Sequence, residues 1–205
     1  MSAVVAHLLY ALAWLSFAAG HSVLAAPRGR AWLEGRFGDR HRLVYNAVAV
    51  VHLAAVVGVG WAVLGGAPGF HRPGWLVAAQ AAVLAAGLAL GAVAARDYDL
   101  GRLAGTRPDR MATPEPLNVT GLHRWVRHPL YAAGLLILWG VATDPPGVAT
   151  AVWGSLYLVI GSRFEERRLL RLYGTAYATY RARVPAFVPW RGPVTVSPEP
   201  EGARS

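Results

Sequence analysis

Five long stretches of this chain contain no charged residue, and no other feature of the sequence limits the possible folds as strongly. The stretches are residues 1–27, 43–71, 73–95, 128–143 and 145–162. Each of the first three is long enough to cross a membrane as a helix, which takes about 20 apolar residues. The last two are shorter and meet at a turn signal, Asp144-Pro145-Pro146-Gly147, so we expect a short helical hairpin there. A soluble core explains one such stretch, whereas five in sequence predict an all-α integral membrane protein with about five transmembrane helices.

The composition supports this fold class and excludes several kinds of site. Of the 205 residues, 55% are hydrophobic and 15% are charged, which is too apolar for an ordinary soluble domain. The sequence has no cysteine, so disulfides, thiolate metal sites and a cysteine nucleophile are excluded. His41, His71 and His123 are scattered, and no histidine spacing is typical of a metal site. The net charge of +9 suggests either nucleic acid or an anionic membrane surface, and the positions of the basic residues decide between them.

The arginines, which make up all twenty basic residues, predict the orientation in the membrane. Residues 27–42 contain five of them, residues 96–127 six, and the chain from residue 163 onward eight, whereas Arg72 stands alone between the second and third stretches. This alternation follows the positive-inside rule, with the N-terminus outside and the C-terminus in the cytoplasm. We therefore expect a multi-pass protein of the bacterial inner membrane and no nucleic-acid partner. The N-terminus lacks a positively charged segment, so we do not expect a cleaved signal peptide.

After the fifth stretch the pattern changes to that of an amphipathic helix. Apolar and aromatic residues recur on one face at Leu169, Tyr173, Ala176, Tyr177 and Tyr180. We expect this helix to lie on the cytoplasmic side and to end at Val184, because the residue before a proline tends to leave the helix. Residues 192–205 are typical of a disordered tail.

The clearest candidate site lies where basic residues meet the fourth apolar stretch. His128-Pro129 predicts a helix start, because proline is favoured at the first helical position. The free N–H groups of that helix end and the charge of Arg127 would together bind an anion. Tyr131 adds an aromatic face suited to a sulfonium, an ammonium or an adenine ring. The alternative is that Arg124 and Arg127 are membrane-anchoring arginines and His128 a surface cap.

A second candidate site is the carboxylate pair Glu165-Glu166, directly after the fifth stretch. Two adjacent carboxylates at a membrane boundary could bind an amine or ribose hydroxyl groups. The alternative is that they complement a helix dipole and pair with nearby arginines such as Arg163 and Arg168.

Three histidines, His7, His21 and His52, lie within the predicted spans, where ionisable groups are functional candidates. A neutral histidine that bonds to another helix is an equally good explanation. The neighbouring pairs His21-Ser22 and Tyr45-Asn46 are the ones that we regard as a possible acceptor-binding side.

The C-terminal half resembles a family of integral membrane enzymes, the isoprenylcysteine carboxyl methyltransferase and phospholipid methyltransferase superfamily. The resemblance covers residues 117–190 and is specific in order and spacing. It rests on Gly121, Val126-Arg127-His128-Pro129-Leu130-Tyr131, Glu165-Glu166, Leu170, Tyr173-Gly174, Tyr177, Tyr180, Val184-Pro185 and Val188-Pro189.

The N-terminal half is similar to the small bacterial branch that includes methanethiol S-methyltransferases and NnrU-type proteins. The similar segments are "AGHSVLAAPRGR", "HRLVYNAVAVVHL" and, nearer the C-terminus, "LYLVIGSRFEERRLL". Two departures affect the choice of substrate more than the binding of a cofactor. They are Arg167-Arg168, where an acidic residue is common, and His123-Arg124, where relatives usually carry an aromatic or Pro-Tyr pair.

The resemblance implies that S-adenosylmethionine binds in a pocket on the cytoplasmic side. Carried over by position, the residues that would line the pocket are Arg127, His128, Pro129 and Tyr131, with Glu165 and Glu166 at the ribose or amino group and Tyr177 and Tyr180 closing it. An arginine near a thiol would favour its thiolate, with Arg127 the first choice for this catalytic role and Arg163 the second.

We therefore expect a membrane methyltransferase that acts on a small thiol or lipid-like acceptor. Residues 1–116 would form a three-helix region on the acceptor side, residues 117–191 the cofactor-binding core, and residues 192–205 the tail. Two alternatives stay open from the sequence. One is a membrane reductase of related architecture that uses NADPH, and the other is a non-catalytic NnrU-like membrane protein.

Overall fold

Every regular element that the structure describes is helical, which confirms the all-α prediction for that part of the chain. The structure is a computed structural model and describes residues 1–107 and 116–194. Most of the predicted tail, residues 195–205, lies outside the described residues. The helices are α1 (Ala3–Ala25), α2 (Pro27–Phe37), α3 (His41–Leu64), α4 (Gly74–Ala95), α5 (Leu100–Ala104), α6 (Pro129–Gly140) and α7 (Pro145–Arg183), with 3-10 turns at Gly38–Arg40 and Gly121–Arg124.

Among residues 1–107 and 116–194, three helical segments are long and apolar enough to cross a membrane. They are Ala3–Ala25, Pro27–Leu64 and Gly74–Ala95. Large apolar side chains on these segments, such as Leu12 and Val51, are exposed. Such surfaces are stable only where lipid covers them, so the chain is a multi-pass membrane protein. Helix α6 is also apolar but has only 12 residues.

Two helix starts follow local signals in the sequence, the one at Pro129 as predicted and the other within residues 144–147, which were predicted as a turn. Helix α6 begins at Pro129, after His128 in a non-helical conformation. Helix α7 begins at Pro145, and the carboxylate of Asp144 caps it by accepting a hydrogen bond from the N–H of Gly147 at 2.7 Å. Both prolines occupy the first helical position, where no N–H is required. Helix α7 ends at Arg183, and Val184 is extended before Pro185, as the sequence also predicted.

The structure differs from the prediction at two places, one where we expected a loop and one where we expected two separate helices. Residues 27–37, in the arginine-rich segment expected to be a loop between the first two apolar stretches, form α2, where Arg30 and Glu34 make an ion pair of 2.7 Å one helical turn apart. The predicted fifth span continues into the predicted amphipathic helix within α7, because Glu, Arg and Leu favour helix in residues 163–172. The break in α7 comes at Gly174, whose φ of 55° is a conformation that glycine adopts readily.

Close helix packing depends on small residues between α4 and α6. A Cβ atom added at Gly140 would lie 2.7 Å from the Leu84 Cα atom, and one added at Gly87 would lie 2.9 Å from the Ile137 nitrogen. Glycine at these positions lets the two backbones approach each other, as is common between membrane helices. Helix α4 therefore packs chiefly on α6.

The helices α1, α3 and α7 share a second packed region. Its buried side chains include Tyr10, Trp14, Phe17 and Val56. The Tyr10 hydroxyl lies 2.7 Å from the Thr150 hydroxyl, which connects α1 to α7. Because α7 also contacts α6, this long helix joins the two packed regions, and its second half extends past them to form one wall of a cavity.

Candidate active site

A cavity of about 680 Å³ lies between the segment after α4, the start of α6 and the second half of α7. This volume is in the range of about 300–1,000 Å³ that is typical of small-molecule sites. The cavity wall combines charged, aromatic and apolar side chains. Its titratable residues are Arg42, Asp97, Tyr98, Asp99, Arg102, His123, Arg127, His128, Tyr131, Glu165, Tyr173, Tyr177 and Tyr180.

An ion pair between Arg127 and Glu166 connects the start of α6 to α7 beside this cavity. The Nε and Nη2 atoms of Arg127 lie 2.9 and 2.5 Å from the same carboxylate oxygen of Glu166. The Arg127 guanidinium also donates to the carbonyl of Arg181 at 3.1 Å and to that of Val184. The side chains of Arg127 and Glu166 are only 11% and 7% exposed. Arg127 therefore holds the C-terminal end of α7 against the cavity.

His128 lies between the two carboxylates that were predicted to belong to the site. Its Nε2 atom is 3.1 Å from Glu166 Oε1, and its Nδ1 atom is 3.6 Å from Glu165 Oε2. The ring stacks on that of Tyr131, with the ring centres 5.4 Å apart and the planes 11° apart. The structure thus brings these predicted residues together in one contact network.

The environment of Glu166 favours its ionised form. Burial raises the pKa of this carboxyl, but hydrogen bonds from Arg127 and His128 outweigh that effect and leave the pKa below its ordinary value. Glu165 is more accessible, with its side chain 44% exposed, and it lines the cavity. The two adjacent carboxylates therefore have different surroundings, one buried in an ion pair and one facing the cavity.

The segment after α7 pairs with the residues that precede α6. The N–H of Arg127 donates to the carbonyl of Pro185 at 2.8 Å, and that of His128 donates to the carbonyl of Ala186 at 3.0 Å. The N–H of Val194 also donates to the carbonyl of Arg124, at 2.9 Å. The extended conformation of Val184 before Pro185 leads this segment away from α7 and towards the start of α6.

Two tyrosines on α7 close the cavity from one side. The hydroxyl of Tyr180 donates to the carbonyl of His123 at 2.7 Å, and its side chain is buried. Tyr177 is also buried, and burial raises the pKa of its hydroxyl to about 12, so the hydroxyl is neutral. That hydroxyl lies beside the guanidinium of Arg127 but makes no hydrogen bond of normal geometry within the described residues.

The N-terminal half of the chain forms the opposite wall of the cavity. The Arg42 guanidinium donates to the carbonyl of Arg102 at 2.9 Å. The side-chain amide of Asn46 donates to the carbonyls of Leu103 and Ala104 at 2.9 and 3.0 Å. These bonds fasten the short helix α5 to α3. A Cβ atom added at Gly105 would lie 2.4 Å from the backbone of α3, so glycine is needed for this contact.

Sequence reasoning missed this wall. The segment Asp97-Tyr98-Asp99 follows α4 directly, and its carboxylates and ring line the cavity with Arg42 and Arg102. The available signal was a dense group of polar and aromatic residues next to the end of an apolar stretch, on the same predicted side of the membrane as the arginine-rich segments.

Within the described part of the chain, the remaining predicted site residues do not line the cavity. The Tyr45 hydroxyl is 2.6 Å from His21 Nε2, in an aromatic cluster between α1, α3 and α7. Ser22 and Arg163 are exposed, and neither lines the cavity. Pro129 is buried at the start of α6. The predicted acceptor residues thus do not form one site. Asn46 holds α5 against α3, and His21 contacts Tyr45 on α3.

Comparison with known proteins gives one family and several relatives. The family model described as NnrU protein matches residues 8–143. Methanethiol S-methyltransferase 1 of Bradyrhizobium diazoefficiens is 33% identical over 81 residues, which is 39% of this chain and 28% of that protein. The methanethiol S-methyltransferase of Crocosphaera subtropica is 32% identical over 83 residues, which is 39% of this chain and 32% of the relative. The matched region thus spans less than a third of either relative. No solved structure matches this chain.

Proposed function

We propose that this chain, which belongs to the NnrU family, is an integral membrane methyltransferase that uses S-adenosylmethionine. The proposed acceptor is a small thiol or a lipid-like molecule, and relatives named methanethiol S-methyltransferase favour the thiol. The observation that carries the proposal is the cavity itself. Residues from the methyltransferase-like motifs, far apart in the sequence, meet around one space large enough for a nucleoside cofactor.

The donor groups around the cavity fit S-adenosylmethionine. The buried hydroxyl of Tyr177 makes no hydrogen bond of normal geometry within the described residues, so a ligand can use it. Glu165 offers a carboxylate for ribose hydroxyls or an amino group, the ring of Tyr131 offers a face for adenine or the sulfonium, and the buried Tyr180 closes the cavity. Among the described residues no side chain caps the start of α6, so we propose that the N–H groups of Leu130 and Tyr131, which precede the first intrahelical bond from Ala132, bind the carboxylate of the methionine moiety.

The role that we propose for Arg127 differs from direct binding of the cofactor carboxylate. Most of its donors already reach Glu166 and the end of α7. We propose that Arg127 and Glu166 position His128 and the start of α6, and that this helix end binds the anion. Because Glu166 neutralises Arg127, the pair does little to favour a thiolate, and Arg163 is too exposed to serve that role.

The residues of the chain then act by orientation and by excluding water. Bound S-adenosylmethionine would supply a methyl group activated by a sulfonium. The aromatic rings and the fixed start of α6 would hold that group in line with the acceptor, and such positioning makes the largest contribution to this kind of reaction. The α5 wall, fastened by Asn46, would shield the acceptor from water.

We also propose a complete topology for the chain in the membrane. Helix α6 and the first part of α7 would add a short hairpin to the three longer spans, giving five spans with the N-terminus outside. The arginine distribution supports a cytoplasmic position for the cavity, and the second half of α7 would lie at that interface as an amphipathic helix. In this arrangement residues 1–116 contribute the acceptor wall, and residues 117–191 hold the cofactor.

A methyl-transfer assay with purified protein tests the function. We expect the protein in lipid nanodiscs to transfer the label from methyl-labelled S-adenosylmethionine to a small alkyl thiol, with less or no transfer to phospholipid. Transfer to phospholipid alone would make the lipid-like acceptor the correct one. Absence of transfer to either acceptor, together with oxidation of NADPH by the same preparation, would contradict the proposal in favour of a reductase.

A further inference from the structure

His123 is a buried histidine in the cavity wall that the proposed function does not yet use. The residue is 9% exposed, and its ring lies against that of Tyr98 with the ring centres 6.3 Å apart. Its main chain is fixed on both sides, because its N–H donates to the carbonyl of Thr120 at 2.9 Å and its carbonyl accepts from the Tyr180 hydroxyl. The ring is therefore held at one place in the wall of the cavity.

Charged groups from three segments face this ring. The Asp97 carboxylate comes from the segment after α4, the His128 ring from the start of α6 and the Glu165 carboxylate from α7, while Tyr98 contributes an uncharged ring and Arg127 a main-chain hydrogen bond. Burial lowers the pKa of the His123 imidazole, and this effect outweighs the opposing influence of Asp97 and of the main chain of Arg127. The imidazole is therefore neutral near pH 7, while the nearby carboxylates of Asp97 and Glu165 would stabilise an imidazolium once it forms.

The turn that carries His123 is built against Asp97. Gly121 has a φ of 54°, and a Cβ atom added there would lie 3.3 Å from the Asp97 carboxylate. A glycine at the first position of the 3-10 turn therefore lets the acid approach the turn that holds the histidine. The Asp97 carboxylate is thus held against the turn that carries a neutral imidazole and acts on that imidazole electrostatically, and a nearby carboxylate is a common partner of a general base.

An alkyl thiol needs such a base, because it is mostly protonated at neutral pH, as a cysteine side chain with an ordinary pKa of about 8.5 is. The neutral S–H form is a much poorer nucleophile than the thiolate. Arg127 does not provide the missing activation, since Glu166 already compensates its charge.

We propose that His123 is the general base that removes the proton from the methyl acceptor, an inference that rests on the proposed function. The S–H proton passes to a ring nitrogen of His123, and the sulfur electron pair forms the new bond to the methyl carbon. The bond from that carbon to the sulfonium of the donor breaks, and the donor leaves as a neutral thioether. The imidazolium then returns its proton to water, so atoms and charge balance.

The test compares two thiols of different acidity in the parent and in His123→Gln. At pH 8 an alkyl thiol is mostly protonated, whereas an acidic aromatic thiol is mostly ionised. We expect His123→Gln to slow methylation of the alkyl thiol by about 100-fold or more, the usual range for loss of a general base. The aromatic thiol needs no base, so the rate of its methylation should change by less than about 3-fold. The exposed His71→Gln, in the segment between α3 and α4, is the matched control and should change neither rate.

Two measurements besides turnover accompany the rates. Calorimetry should give the same affinity for S-adenosylmethionine in His123→Gln as in the parent, which shows that the site is intact. Histidine-selective NMR, with the His123 signal assigned from its absence in the variant, should show a neutral imidazole at pH 7. Equal losses for both thiols, or a protonated imidazole at pH 7, would overturn the role of His123 alone. A parent protein that methylates no acceptor would overturn the proposed function and the base with it.

Discussion

The carboxylate of Glu166 holds Arg127 and His128 together, whereas its neighbour Glu165 faces the cavity. Replacing Glu166 with Gln leaves a buried guanidinium uncompensated, so we expect a loss of about 3–5 kcal/mol in the free energy of unfolding. Glu165→Gln should leave stability nearly unchanged and weaken binding of S-adenosylmethionine, because that side chain is 44% exposed and lines the cavity. Thermal unfolding in detergent and calorimetry separate the two effects. Equal behaviour of the two variants would contradict the different positions of these carboxylates.

The two arginines at the start of α6 also differ in their contacts. Arg127 is largely buried, with its side chain 11% exposed, whereas Arg124 is exposed. We expect Arg127→Ala to lower the free energy of unfolding by about 3–5 kcal/mol, because it leaves the buried Glu166 carboxylate unpaired, and thereby to weaken binding of S-adenosylmethionine at the start of α6; the exposed Arg124→Ala should cost about 0–1 kcal/mol. Calorimetry on both variants, with circular dichroism to check folding, measures the difference. Small and equal effects would make both arginines membrane anchors only.

Sequence reasoning identified most members of this network but not their partners. Arg127, His128 and Glu166 were each predicted to belong to the site. The bond from Arg127 to Glu166 joins residues 39 apart, so it depends on how the hairpin of α6 and α7 aligns, and local patterns do not contain that information. For the same reason, an arginine predicted to bind a cofactor carboxylate is found bound to a carboxylate of the chain itself.

Among the contacts between helices, the one between α4 and α6 gives the most specific prediction about stability. A methyl group at Gly140 would meet the Leu84 backbone at 2.7 Å, so Gly140→Ala must push the helices apart. We expect it to lower the free energy of unfolding by about 1–3 kcal/mol, as overpacking usually does. Gly58→Ala in α3 is the control, since a Cβ atom there has no neighbour within 4 Å. The control should be neutral or stabilise the protein by up to about 1 kcal/mol.

Chemical unfolding in a mild detergent measures both glycine variants under the same conditions. A Gly140→Ala protein as stable as Gly58→Ala would show that α4 and α6 are not in the close contact described.

Some helix ends were predictable and others were not. The prolines that start α6 and α7, and the one that follows α7, are local signals that tertiary packing did not override. The helical state of α2 was missed, because charge was used as a sign of a loop, and the fifth span and the amphipathic helix were predicted as separate helices although α7 contains both. In both segments the charged residues are good helix formers, and they belong to helices with exposed polar faces.

For the whole molecule, the arginine distribution predicts on which side of the membrane the cavity opens. A reporter fused after residue 205 should be active in the cytoplasm, and one inserted in residues 65–74 should be active outside. Paired reporters, one active only in each compartment, make the assignment. The reverse pattern would place the cavity on the outer side, away from cytoplasmic S-adenosylmethionine, and would contradict the proposed function.

The apolar stretches were enough to predict a helical membrane protein, but they did not predict that both halves of the chain build the cavity. Asp97, Tyr98 and Arg102 reach the site because Asn46 and Arg42 fasten α5 to the start of α3. Those are side-chain to main-chain bonds between residues about 60 positions apart. Such contacts follow from tertiary packing and leave no periodic pattern in the sequence.

Binding of S-adenosylmethionine to the purified protein is the most direct test of the central claim. Calorimetry should show saturable binding of S-adenosylmethionine and none of NADPH. Tyr177→Phe removes only the buried hydroxyl that lies free in the cavity wall, so it should reduce the affinity by about 2- to 10-fold, the equivalent of one hydrogen bond of about 0.5–1.5 kcal/mol. Saturable binding of NADPH, or binding of S-adenosylmethionine that neither Tyr177→Phe nor Glu165→Gln changes, would contradict the assignment of this cavity as the cofactor site.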